Sequence, residues 1–324
     1  MDIELQYMQR CLQQARLGEA GAPPNPMVGA VLVCRGRIIG EGYHRRCGGP
    51  HAEVNAVRSV RDPSLLRQST LYVSLEPCDH YGKTPPCADL IIEKGIPRVV
   101  VGCIDPFAKV CGLGVRKLRE AGVEVAVGAM EDECRRLNRR FFTFHEKHRP
   151  WIILKWAQSN DGFIGKDERV ILSNALTQTL VHRLRARSGA ILVGTNTALQ
   201  DNPTLTTRLW PGPNPLRLTI DRNGILPPTL HLKDNSTPTV IYSHESTEEI
   251  LADLYARGIQ SLLVEGGAKL LQSFIDKGFW DEARIETAPL CLGQGTKAPT
   301  LKDEQLKSKQ NIGGHIIQHY CHKP

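Results

Sequence analysis

Apolar positions along this chain follow two alternating rhythms. Runs rich in apolar and β-branched residues, at 27–34, 70–75, 98–103 and 123–127, predict strands. Between them lie helical stretches: residues 51–57 run without Gly or Pro after Gly48-Gly49-Pro50, and 88–94 are closed by Gly95. This alternation predicts an α/β sandwich. A further helical stretch from Glu131 to about Phe144 ends at His145-Glu146-Lys147-His148-Arg149-Pro150, and Trp151-Ile152-Ile153-Leu154-Lys155-Trp156 begins a new strand. The pattern therefore divides the chain into domains 1–147 and 148–324. In the second, 190–194 and 261–265 read as short buried strands running into Gly or Thr and then a helix. Such strand ends are where open α/β sheets bind ligands.

The predicted elements place chemistry together in the first domain. His51 and Glu53 stand at one helix start, Cys78 follows a strand, and Cys87 opens the next helix. One imidazole and two thiolates are a ligand set that catalytic zinc accepts, with its fourth position kept for water, and the metal lowers the pKa of that water. Hydrolytic removal of a ring amine also needs a proton carrier, because ammonia cannot leave as an anion. Glu53, two residues from His51 and so on another side of the helix, fits that role; His/Cys/Cys with a free Glu is the general signature of zinc base deaminases. A His-x-Glu alone is expected about once by chance among 11 histidines. The order of the motif, the placement of Cys78 and the Pro before each of His51, Cys78 and Cys87 are not.

Composition narrows the setting. The chain has 324 residues, 41% of them hydrophobic, enough to bury two domain cores. No apolar run approaches the roughly 18 residues of a membrane span. The acidic first residues lack an apolar signal region, so the expected location is cytoplasmic, with the ten cysteines reduced. Only Cys78 and Cys87 have implied partners; the other eight read as structural. The net charge of +7 is spread evenly, with 21 Lys and Arg against 17 Asp and Glu in residues 1–147 and 20 against 17 in the rest. No basic arm stands out for nucleic acid, and a small phosphorylated substrate suits the excess equally well. The run Arg135-Arg136-Leu137-Asn138-Arg139-Arg140 reads as the solvated face of a helix. Self-association into a homo-oligomer stays open.

Eight residues separate Cys78 from Cys87, where deaminases of cytidine or tRNA adenosine usually have two. With Pro24-Asn25-Pro26-Met27-Val28-Gly29, His51-Ala52-Glu53, the whole of Leu75 to Cys87, and Asp105-Pro106, the first domain resembles the bifunctional riboflavin-biosynthesis proteins that join a pyrimidine deaminase to a ribosyl reductase. The resemblance continues through Leu154-Lys155, Ser159-Asn160-Asp161-Gly162, Leu184-Arg185-Ala186, residues 190–197, residues 201–208 and Val264-Glu265-Gly266-Gly267. It implies a cytidine-deaminase-like α/β/α sandwich followed by a dihydrofolate-reductase-like α/β domain that uses NADPH. It implies substrate contacts at Asn25 and Lys83 in the first domain and at Lys155, Arg185, Leu205, Arg208 and Glu265 in the second. Cofactor contacts are implied at Ala157, Thr197, Asp201, Gly266 and Gly267. The chain departs from the family at Phe107, where Asn is usual, at Asn160 and Val170, and in a shortened stretch between Asp221 and Glu265.

Read physically, Gly266-Gly267 before a helix lets backbone N–H groups approach a phosphate, although a Gly pair there is also an ordinary tight turn. Arg185 and Arg208 suit a clamp on a ribose phosphate, since guanidinium pairs bidentately with phosphate oxygens. The expected activity is hydrolysis of a ring amine on a diaminopyrimidinone ribosylamine 5′-phosphate, then reduction of the ribosyl group by NADPH. One rival is a tRNA or single-stranded DNA deaminase with a non-catalytic second domain; another is a binding protein with a structural zinc. His315, His319, Cys321 and His322 have ligand-like types, but Ile316-Ile317 and Tyr320 read better as a closing strand.

Overall fold

The structure is a computed structural model and describes residues 3–79, 85–107, 110–166 and 170–323. The chain forms two compact units, 1–147 and 148–324. No helix among the described residues is long and apolar enough to cross a membrane.

The first unit is a five-stranded sheet between two helical layers. Strands β1 (Gly29–Cys34), β2 (Arg37–Tyr43), β3 (Ser69–Val73), β4 (Arg98–Val101) and β5 (Glu124–Val127) lie in the order β2-β1-β3-β4-β5, antiparallel up to β3 and parallel beyond it. All six residues of β1 are buried because the strand is covered on both sides. Its Ala30 and Leu32 pack with Ala52 and Ala56 of α2 (Ala52–Ser59), Ile91 of α3 (Cys87–Glu93) and Leu118 of α4 (Leu113–Glu120). The alternate residues Val31 and Val33 pack with Met8 of α1 (Ile3–Arg16), Cys134 of α5 (Glu131–Leu137) and Phe142 of α6 (Arg139–Lys147).

Two features depart from the sequence expectation. The strand β2 was not expected; it forms a hairpin with β1 across Arg35 and Gly36, both at positive φ. The helical stretch after Glu131 is two helices, broken at Asn138. The amide of Asn138 is occupied elsewhere: its Oδ1 accepts from Met27 N at 2.8 Å and its Nδ2 donates to Met27 O at 2.8 Å. Met27 is thereby clamped ahead of β1 rather than joining the strand.

In the second unit, β6 (Trp151–Ser159), β8 (Ala190–Val193), β9 (Leu216–Ile220), β10 (Thr239–Tyr242), β11 (Ser261–Glu265), β12 (Glu282–Ala288), β14 (Glu304–Ile312) and β15 (His315–His322) form one sheet in the order β10-β9-β8-β11-β6-β12-β15-β14. It is parallel from β10 to β12, and β15 and β14 close it antiparallel. The short strands β7 (Phe163–Gly165) and β13 (Thr296–Lys297) pair separately. One face packs Leu154 and Trp156 against α9 (Thr247–Ala256) and α10 (Ala268–Asp276). The other carries Ile153, Ile191 and Leu263 with Leu184 of α7 (Ala175–Ala186) and Ala198 of α8 (Thr195–Asp201). The predicted closing strand is β15, so His315 and His319 lie along a strand.

Candidate active sites

In the first unit, His51 caps α2 with extended backbone and Cys87 is the first residue of α3. Cys78 follows β3, and its carbonyl accepts from Ala88 N while its sulfur accepts from Cys87 N at 3.4 Å, so the start of α3 folds onto it. His51 Nδ1 lies 3.5 Å from Cys78 Sγ and 3.4 Å from Cys87 Sγ, and the three donor atoms all fall within 4.8 Å of one another. Zinc bonds of about 2.3 Å to sulfur and about 2.0 Å to nitrogen at tetrahedral angles put N and S roughly 3.5 Å apart. The spacing and the donor chemistry both fit that ion. The cluster shares protons: hydrogen bonding to its neighbours pulls the Cys78 thiol down to about 4, and contact with the Cys78 sulfur pushes His51 up to about 9. Cys87 is pushed up, first by Cys78 and then by burial.

Glu53 is buried at 3% exposure, and burial lifts its carboxyl to about 7, with His51 pulling the other way. Behind the ligands, Asn25 Nδ2 sits 3.1 Å from His44 Nε2, while His44 Nδ1 sits 3.1 Å from Pro50 O. A carbonyl only accepts, so His44 carries its proton on Nδ1 and accepts from Asn25 on Nε2. Its ring stands edge-on to His51 at 5.3 Å. Asn25 is thus held in place by a neutral histidine next to His51. Lys83 lies outside the described residues.

The loop bearing Cys78 hangs on a buried carboxylate. Glu76 accepts backbone N–H groups from Asp105 at 3.3 Å, Gly112 at 2.9 Å and Val115 at 3.0 Å. Gly114 lets that segment come close, since a Cβ there would stand 1.8 Å from Pro77 O. Neither Glu76 nor His44 was singled out from the sequence; Glu76 had a local signal in its place before Pro77-Cys78, and His44 had none.

In the second unit, adjacent strands set Glu265, Lys155, Arg284 and His319 side by side across β11, β6, β12 and β15. From α7, Arg185 donates to Glu265 through Nε at 3.0 Å and Nη2 at 2.8 Å, and through Nη1 to Thr206 O at 3.4 Å. Burial would raise the Glu265 carboxyl, but Arg185 and Lys155 hold it down at about 2. Burial draws the Lys155 ammonium below its ordinary value, against the pull of Glu265. Arg208 is exposed, with Nη1 held by Thr206 Oγ1 at 2.8 Å and by Thr204 Oγ1. Leu205 is 2% exposed with φ of 53°.

The turn after β11 has both glycines at positive φ, 82° and 75°, and α10 begins next. A Cβ on Gly266 would meet Thr197 Cγ2 at 3.0 Å, so the side-chain-free turn packs against Thr197. Backbone N–H groups at a helix start beside two glycines form a cradle suited to a dinucleotide's phosphates. Ala157 lies two residues along β6 from Lys155, opposite Glu286, and Asp201 closes α8 at the surface.

Residues 1–103 match the family described as the cytidine and deoxycytidylate deaminase zinc-binding region, and residues 150–318 match the RibD C-terminal domain. The riboflavin biosynthesis protein RibD of Aquifex aeolicus is 37% identical, covering 98% of each chain, and that of Escherichia coli is 34% identical over 90% of this chain and 89% of its own. A crystal structure of a diaminohydroxyphosphoribosylaminopyrimidine deaminase/5-amino-6-(5-phosphoribosylamino)uracil reductase from Thermotoga maritima superposes with a TM-score of 0.89 at 36% identity over 99% of both chains. Acinetobacter baumannii RibD gives 0.89 at 30% over 99% of both.

Proposed function

The chain belongs to the RibD family of riboflavin-biosynthesis enzymes, and from that premise we propose how its own residues carry out the two activities. The enzyme is bifunctional, a zinc-dependent pyrimidine deaminase of cytidine-deaminase-like fold followed by an NADPH-dependent reductase of dihydrofolate-reductase-like fold. The substrate of the first half is a diaminopyrimidinone ribosylamine 5′-phosphate, and the second half reduces the ribosyl group of the deaminated product to ribityl.

The observation that carries the first assignment is the convergence of His51, Cys78 and Cys87 beside the buried carboxyl of Glu53. A zinc ion held by these three side chains would supply the Lewis acidity that makes water nucleophilic near neutral pH. Glu53 takes the proton of the attacking water and delivers it to the ring amine; the carbon–nitrogen bond breaks and ammonia leaves neutral. Burial raises this carboxyl and a cation held beside it would draw it back, opposing pulls that suit a group both taking and giving a proton. Asn25, fixed by His44, orients the ring through its remaining amide capacity, and Lys83 serves the substrate's polar end.

In the second half, NADPH supplies the hydride. The turn at Gly266-Gly267, with Thr197, would hold its phosphates, and Ala157 and Asp201 would contact it. Lys155 and Glu265 face the opened sugar. Arg185 has committed Nε and Nη2 to Glu265, so the exposed guanidinium of Arg208 meets the ribose phosphate and Arg185 supports it. Leu205, whose side chain is buried, contributes backbone.

A coupled assay tests the reading: purified protein should release ammonia from the diaminopyrimidine phosphate and then oxidise NADPH in the same cuvette. Steeply salt-dependent binding of tRNA or single-stranded DNA, with no response to NADPH, would favour a nucleic-acid deaminase instead.

A further inference from the structure

The segment 202–208 is held in an unfavourable backbone state. Asn202 and Leu205 have φ of 39° and 53°, in the left-handed region that side chains avoid, and Leu205 has no polar group to compensate. Such strain persists only where surrounding contacts over-determine the chain. Three contacts hold it: Arg217 Nη1 donates to Thr204 O at 3.4 Å, Arg185 Nη1 to Thr206 O at 3.4 Å, and Asn214 Oδ1 accepts from Thr207 N at 2.8 Å. The last residue, Arg208, is tied by its own backbone. Its N–H donates to Nδ1 of His182 at 2.9 Å.

His182 lies on α7, one turn before Arg185, and is 6% exposed. Accepting from a backbone N–H requires Nδ1 without a proton, so the ring is the neutral tautomer with hydrogen on Nε2. Burial first, then the charges of Arg185 and Arg208, hold its pKa down at about 4, so the acceptor persists throughout the neutral range.

We infer that His182 is a positioning residue of the reductase half: it fixes the backbone of Arg208 with an uncharged acceptor, so that the guanidinium stays available for the substrate's phosphate. A carboxylate at the same place could accept the same hydrogen bond. It would also attract the guanidiniums of Arg185 and Arg208 and compete with an incoming anion. An imidazole satisfies the backbone while leaving the positive field intact. The inference rests on the reading of Arg208 as the phosphate contact given above.

The test uses the full-length, zinc-loaded enzyme with His182→Asn, His182→Asp and His182→Leu. The readouts are KM of the reductase half for the deaminated pyrimidine phosphate, KM for NADPH, kcat, ammonia release, and hydrogen exchange of the 204–208 amides. His182→Asn should stay within about threefold of the native substrate KM, and His182→Leu should raise it roughly tenfold, the worth of one hydrogen bond near 1.4 kcal/mol. His182→Asp should raise it at least as much while keeping the Arg208 amide protected, an outcome a purely structural acceptor would not give. NADPH KM and ammonia release should not move. The inference is overturned if His182→Asp binds substrate like the native enzyme, or if His182→Leu speeds exchange at 204–208 yet leaves the substrate KM unchanged. A native enzyme that releases ammonia but never oxidises NADPH would strike at the proposed function instead, and unchanged exchange in His182→Leu would still refute the role of His182.

Discussion

Arg185 and Glu265, 80 residues apart, meet through two parallel contacts of 3.0 and 2.8 Å, with the side chains 13% and 9% exposed. Removing one partner of such a pair leaves the other buried and uncompensated. Arg185→Met or Glu265→Gln should therefore destabilise the second unit by roughly 3–5 kcal/mol, read as a fall in its denaturant midpoint.

The same pair gives a pH dependence. Glu265 is depressed from the ordinary 4.5 to about 2, so its contribution is present above the unfolded value and is lost as pH falls through the folded one. Between about pH 4.5 and 2 the native protein should lose stability more steeply than Glu265→Gln, in acid unfolding followed by circular dichroism. Parallel curves would contradict the assignment.

Glu76 predicts a loss in the other unit. Its three backbone bonds are charge-assisted, and Glu76→Gln removes the charge and one acceptor. The first unit should lose about 2 kcal/mol, and zinc should be stripped by chelator at lower concentration, because the loop carrying Cys78 loosens. Elemental analysis after graded chelation reads this directly.

Arg284 behaves oppositely. Among the described residues its Nη1 and Nη2 are buried without a hydrogen-bond partner, and the carboxylate oxygen it pairs with, on Glu286, is 3.7 Å away. Burying a charge so poorly paired is costly, so replacing the pair together, Arg284→Met with Glu286→Leu, should leave stability unchanged or raise it by about 1 kcal/mol, measured by equilibrium unfolding. A loss of several kcal/mol would mean that the guanidinium is better paired than the geometry shows.

How much of this was legible depended on range. The convergence of His51, Cys78 and Cys87 could be read because His51 and Cys87 stand at helix starts and Cys78 in the loop after a strand, all specified by local residues. The strands 190–194 and 261–265 could be read because continuous apolar runs survive burial on both faces. The strand Arg37–Tyr43 was missed because it is exposed at its start and broken by Gly40 and Gly42, which blurs the alternation. The role of Asn138 was invisible because the residue its side chain holds, Met27, is 111 residues away. His44 and His182 share that reason: each matters through a contact with a residue on another segment, Asn25 and Arg208.

The most direct measurement is ammonia release by Glu53→Gln beside its zinc content. The substitution removes a proton carrier and no ligand, so zinc should remain at one per chain while the rate falls by a factor on the order of 1000. Native-rate ammonia release from a zinc-replete Glu53→Gln enzyme would contradict the account.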